Sequence, residues 1–267
     1  AQTHYKCLSK PSFSYKEDIM LWCAYMVQQS PLAKALWNAA EKKGWRFGLT
    51  DLGGRSFHMD IPEKTFYLDH FSLTPAALGR SVYFKNLLLC NLIRVLRDTW
   101  HEEHWGALEL QYSPENTLMM ERIRAADCDT CVVLSCWEWR GAGYADIWRH
   151  LIGSEDGDMA LAFSQFLEHS PTSHFNAAPI ARAFKQWFKE ESRVNACDHV
   201  TLESLDDRLS QSREQNPFGT ERLDGDAVEK MAELPDGVKY LSGQGHEIIR
   251  DPYYAGLNDT INQTHLL

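Results

Sequence analysis

Apolar residues recur at helical spacing in two stretches near the beginning of the chain, and then the period changes. Ser14 followed by Glu17 reads as a capping box, and the apolar positions through Val27 predict a helix over about 15–29. Pro31 suits the first turn of a second helix, with Leu36, Trp37 and Ala40 on its apolar side and Gly44 as its stop. From Trp45 the pattern alternates. Segments 45–49, 56–61 and 65–69 each alternate apolar with polar, separated by Gly53-Gly54 and Pro62-Glu63-Lys64, which predicts three short antiparallel strands. After Pro75 helical spacing returns over 79–104, 114–140, 144–152, 157–168 and 177–191, with breaks at Gly106, Pro114, Gly141, Gly143, Pro171 and Pro179. Beyond about 210 the periodicity fades, apart from a short helix near 224–233. Residues 210–267 read as an irregular segment that packs on a main domain of 1–209 through Tyr240, Leu241, Tyr253, Tyr254 and Leu257. The order is α+β: mostly helical, with a small antiparallel sheet of about three strands near 45–70.

Composition changes this picture little and charge changes it more. With 44% hydrophobic and 24% charged residues over 267 positions, the chain is globular and long enough to hold a core without a metal or disulfide staple. Of the formal net charge of −10, residues 201–267 supply −7, with 6 basic against 13 acidic side chains. An acidic chain without a basic stripe gains little from neutralising phosphates, so nucleic acid is excluded as an expected partner. A protein with a basic or amphipathic surface is the expected one. The apolar runs Ile19–Val27 and Leu87–Ile93 fall short of the roughly 20 residues of a membrane span, and AQTHYKCLSK at the start contains no signal-type apolar segment. Seven cysteines, several in apolar helical contexts, point to reduced thiols and a cytoplasmic setting.

Four motifs could carry chemistry. In Trp100-His101-Glu102-Glu103-His104 the two imidazoles stand at i and i+3, whereas the zinc-protease helix needs them at i and i+4 with a glutamate base between. The plain alternative is the solvated end of a helix. Cys128-Asp129-Thr130-Cys131 is a CxxC inside a helical stretch, without the strand–helix context of a redox motif or a second pair for zinc, and reads as two packed thiols. Ser242-Gly243-Gln244-Gly245-His246 is glycine-rich but follows no strand that would make it a phosphate cradle, and no Gly-x-Ser-x-Gly elbow is present. The nine tryptophans fall mostly at helical spacing and read as packing.

The order of elements resembles a bacterial family of zincin-like metallopeptidases of unknown function, in which a helix after a short meander carries His-Glu-x-Arg-His-x-x-Gln and a later helix carries a Glu-Ala-Asp-Ala-like motif. Gly44–Leu68 is similar to the meander, Leu87–His101 to the metal helix and Arg122–Cys136 to the third-ligand helix. Ala183-Phe184-Lys185-Gln186-Trp187-Phe188 and Lys239-Tyr240-Leu241 are similar to downstream landmarks. Aligned on Arg97 and Trp100, the first histidine of the family pattern falls on Arg94, the glutamate base on Val95, the second histidine on Asp98 and the glutamine on His101. The third-ligand glutamate falls on Ala125, and the following aspartate is kept as Asp127. The resemblance thus implies a pseudoenzyme with neither catalytic residues nor a cofactor, in which Arg94, Arg97, Asp98 and Asp127 form a polar network in the vacated site. Its expected role is protein binding. Two alternatives stand beside it: a zinc-dependent hydrolase with a rearranged site, His101 and His104 as ligands and Glu102 or Glu103 as base, and a structural subunit of a larger assembly.

Overall fold

Each early helix begins where a side chain satisfies its first free amides. In the computed structural model, which describes residues 12–106, 111–170, 177–212 and 216–266, helix α1 (Lys16–Val27) starts one residue later than the Ser14 box predicts. Asp18 rather than Glu17 reaches back, accepting from the amides of Ser14 (2.7 Å) and Tyr15 (2.9 Å). These two bonds hold its carboxyl below the usual carboxylate range. Helix α2 (Pro31–Lys42) is capped by Ser30, whose hydroxyl accepts from Ala33 N and donates to Glu138. Gly44, at φ +85, ends it.

The sheet holds strands β1 (Arg46–Thr50), β2 (Phe57–Asp60) and β3 (Thr65–Asp69) in the order β1-β3-β2. The expected antiparallel sheet is corrected in one respect: β2 pairs antiparallel with β3, but β1 pairs parallel, Phe47 opposite Phe66. Alternation records the face each side chain takes and says nothing of the neighbour's direction. Residues 51–64, which include β2, provide the length that a parallel return requires. The central strand β3 is also the most buried.

The predicted helix at 79–104 divides. Thr74 caps α3 (Pro75–Arg80), and Ser81, in extended conformation, accepts from Phe84 N and opens α4 (Val82–Trp105). Then follow α5 (Pro114–Gly141), α6 (Ala145–Ile152), α7 (Gly157–His169) and α8 (Ala178–Trp187). The helix expected over 177–191 ends at Trp187, and a separate helix that the spacing does not predict, α9 (Glu191–Gln211), follows; its buried stripe is narrow, Asp198, Thr201, Leu202 and Leu205 on an otherwise polar cylinder. The segment after 210 is more regular than its composition suggests, with α10 (Gly225–Met231), α11 (Gly245–Arg250), α12 (Pro252–Ala255) and α13 (Thr260–Leu266).

The chain forms two compact units, residues 1–100 with 131–155, and residues 101–130 with 156–267. In the first, α4 is buried nearly all round between Leu88 and Thr99, and Trp139 of α5 donates its indole N–H to Met26 O at 2.7 Å. In the second, Arg122 of α5 pairs with Asp198 of α9, its Nε 2.6 Å from the carboxylate. Asn262 of α13 donates to the same carboxylate at 2.8 Å. Of the expected anchors, Tyr240 and Leu241 are buried and Tyr253 donates its hydroxyl to Phe188 O, whereas Leu257 is exposed. All six described cysteines are free thiols, and no described helix is long and apolar enough to cross a membrane.

Candidate functional site

The α4–α5 motif residues divide by burial. Along α4, Arg94 and Asp98 share the half-buried stripe, as positions four apart must, while Val95 and Arg97 are fully buried. Arg94 donates to Asn91 Oδ1 at 3.0 Å, and the Arg97 guanidinium lies 5.8 Å from the centre of the Trp100 ring. The positive charge of Arg94 also reaches His150. Burial, and then this positive charge, hold that imidazole below its ordinary pKa of 6.5. On α5, Glu121, Ala125 and Asp129 form the half-buried stripe, and Asp127 points into the core.

The second unit builds a buried polar cluster on Asp127. His101, near the end of α4, places Nε2 2.7 Å from Asp127 Oδ2, with both side chains fully buried. Tyr240 donates its hydroxyl to the other carboxylate oxygen at 2.5 Å. It reaches that position through the tight turn 234–238, closed by the Leu234 N to Val238 O bond and by Gly237 at φ +88. Phe184 of α8 packs against its ring, 6.0 Å between centroids. With the imidazole proton assigned to Nε2, the carboxylate accepts from one nitrogen and one phenol, and both bonds offset the cost of holding it in the core.

The His101–His104 motif is split by the same geometry. His101 lies in the core while His104 is exposed, and Glu102 and Glu103 are half-buried, the Glu102 carboxylate lying against Gly106. The thiols of Cys128 and Cys131 are both buried. The glycine-rich stretch at 242–246 is a helix crossing: a Cβ on Gly225 of α10 would stand 2.6 Å from His246 N, and Gly245 N donates to Glu229 at 3.1 Å. Among the described residues, no group of three or more His, Cys, Asp or Glu is placed to hold a metal ion.

Sequence reasoning had named His101 and Asp127 separately, one as an alternative ligand and one as part of a network, and had not joined them. Tyr240 stands in the sequence as an anchor of the C-terminal segment and a family landmark, with no link to Asp127. The available signal was that Lys239-Tyr240-Leu241 stood among the family landmarks.

The sequence profile described as "Putative metallopeptidase family (DUF6782)" matches residues 86–242, from the first buried turns of α4 to just past Tyr240. The chain belongs to this family. The DUF6782 match encloses His101, Asp127 and Tyr240, together with Arg94, Val95, Asp98 and Ala125. The two N-terminal helices and the sheet lie outside it. No curated protein and no solved structure matches the chain.

Proposed function

We propose that this chain is a non-catalytic member of its family that acts by binding another protein. One observation carries the reading: Asp127, the acidic residue retained from the metallopeptidase-like pattern, is buried and bonded to His101 and Tyr240, a structural use of the site. The donor set points the same way. Zinc requires imidazole, thiolate or carboxylate ligands and an acid–base group beside its water. The positions that resemble the family ligands present a guanidinium at Arg94, an aspartate at Asp98 and a methyl at Ala125, and the position of the base is the fully buried Val95. Of these only the Asp98 carboxylate could ligate zinc, and one carboxylate beside a guanidinium and a methyl does not hold the metal, so no catalytic step is derived through it. Arg94, Arg97, Asp98 and Asp127 act as structural polar groups in place of ligands.

The alternative zinc hydrolase would use His101 and His104 with Glu102 or Glu103. It must withdraw His101 Nε2 from Asp127 and bring a core imidazole together with an exposed one. The acidic segment 201–267 is the surface on which a basic partner would be sought, and a cytoplasmic setting remains part of the reading. A pull-down from native lysate followed by a salt wash tests the binding role: a partner released as ionic strength rises supports it. Stoichiometric zinc with peptide hydrolysis contradicts it.

A further inference from the structure

A cavity of about 180 Å³ lies in the first unit, and its lining is unusual in chemistry. Four of its walls are the aromatic side chains of Trp37, Trp45, Phe47 and Phe66; Leu96 of α4 adds an apolar surface, and Glu41 is the one charged residue among the described residues that line it. The arrangement follows from local structure. Trp37 and Glu41 stand one turn apart on α2, and the small Ala40 beside them leaves space. Gly44 turns the chain so that Trp45 N bonds back to Ala40 O. The parallel register of β1 and β3 sets Phe47 opposite Phe66, their rings stacked at 5.5 Å and 21°, and Trp37 meets Phe47 edge-on at 6.0 Å. Glu41 is exposed and Trp37 and Phe47 are half-buried, so these three form the mouth, while Trp45 and Phe66 are buried.

We propose that this cavity binds a methylated ammonium head group. Aromatic rings attract a cation through their quadrupole, and a charge spread over methyl groups sheds its water more readily than a primary ammonium does. The Glu41 carboxylate compensates the charge, and the aromatic rings pack against the methyls. Anions meet a carboxylate and no cation in the described lining. The volume is below the roughly 300–1,000 Å³ of sites for drug-sized ligands, so it accommodates a head group and leaves the remainder of the molecule outside. The head group can come from a choline-like metabolite or from a trimethylated lysine of a protein.

The test uses the full chain and tetramethylammonium chloride as probe, followed by tryptophan fluorescence and by NMR of the indole N–H signals. Saturable binding that perturbs the Trp37 and Trp45 signals, weakened about tenfold in Glu41→Gln, is the expected result. Glu41 is exposed, so an unchanged melting temperature shows that the variant is folded. Choline is then compared with its uncharged carbon isostere 3,3-dimethyl-1-butanol, which is expected to bind about tenfold more weakly. A trimethyllysine peptide that binds more tightly than choline identifies a protein source, and the reverse order a free metabolite. Absence of saturable binding, equal affinity for the neutral isostere, or an unaltered affinity in Glu41→Gln overturns the proposal.

Discussion

Asp127 holds two donors in the core, and the consequences of removing each partner differ. Asp127→Ala leaves His101 and Tyr240 buried without their common acceptor and is expected to cost about 3–5 kcal/mol. Tyr240→Phe removes one donor and keeps the ring against Phe184, for about 1–3 kcal/mol. Urea unfolding of the two variants should give that order; a neutral Asp127→Ala would show that the cluster contributes nothing to the fold. His150 gives a second prediction at this scale. Burial and Arg94 place its folded pKa below 6.5, so the unfolded chain binds the extra proton first. Stability is therefore full above about 6.5 and declines as pH falls from there through the folded value. Melting temperatures of His150→Gln between pH 7.5 and 5 should show a shallower decline than the unmodified chain, and parallel curves would refute the assignment.

Two short helices near the C-terminus depend on the absence of side chains where they meet. A methyl at Gly245 would collide with the Gly225 carbonyl and press on Glu229, whose carboxylate, held below its usual range chiefly by the Gly245 amide, sits at the same crossing. Gly245→Ala is expected to destabilise by about 1–3 kcal/mol in thermal unfolding, and an unchanged melting temperature would contradict that close contact. Within this segment α10 lies inside the helix expected near 224–233, but α11 to α13 are only four to seven residues long, too short for a period to declare itself, and are held by tertiary partners such as Asp198 for Asn262. Helix α9 escaped because its apolar stripe is thin and includes a buried aspartate. By contrast, α1, α2, α5 and the three strands were readable, since caps, prolines and alternation act within a few residues. Strand direction was not, because Phe47 pairs with Phe66 through a return whose sense no local pattern encodes. The site behaved likewise. His101 and Asp127 were individually conspicuous, but the bond between them joins residues from separate helices, and Tyr240 arrives from a third place in the chain.

At the scale of the whole molecule, the chain is a mostly helical α+β protein of a metallopeptidase-related family whose charge is concentrated in its last quarter. A protein of this length can hold its fold on an apolar core, so the proposed loss of metal ligands need not cost the fold. If the proposed binding role runs through residues 201–267, net −7, the attraction to a basic partner is screened by salt, and partner affinity should fall as ionic strength rises from about 0.05 to about 0.5 M. The most direct test of the non-catalytic reading is metal analysis of the chain purified without chelator, alongside His104→Ala, whose exposed side chain can be removed without disturbing the core. The account predicts well under one zinc per chain in both proteins. One zinc per chain, lost in His104→Ala while the melting temperature of the metal-free protein is unchanged, would contradict it.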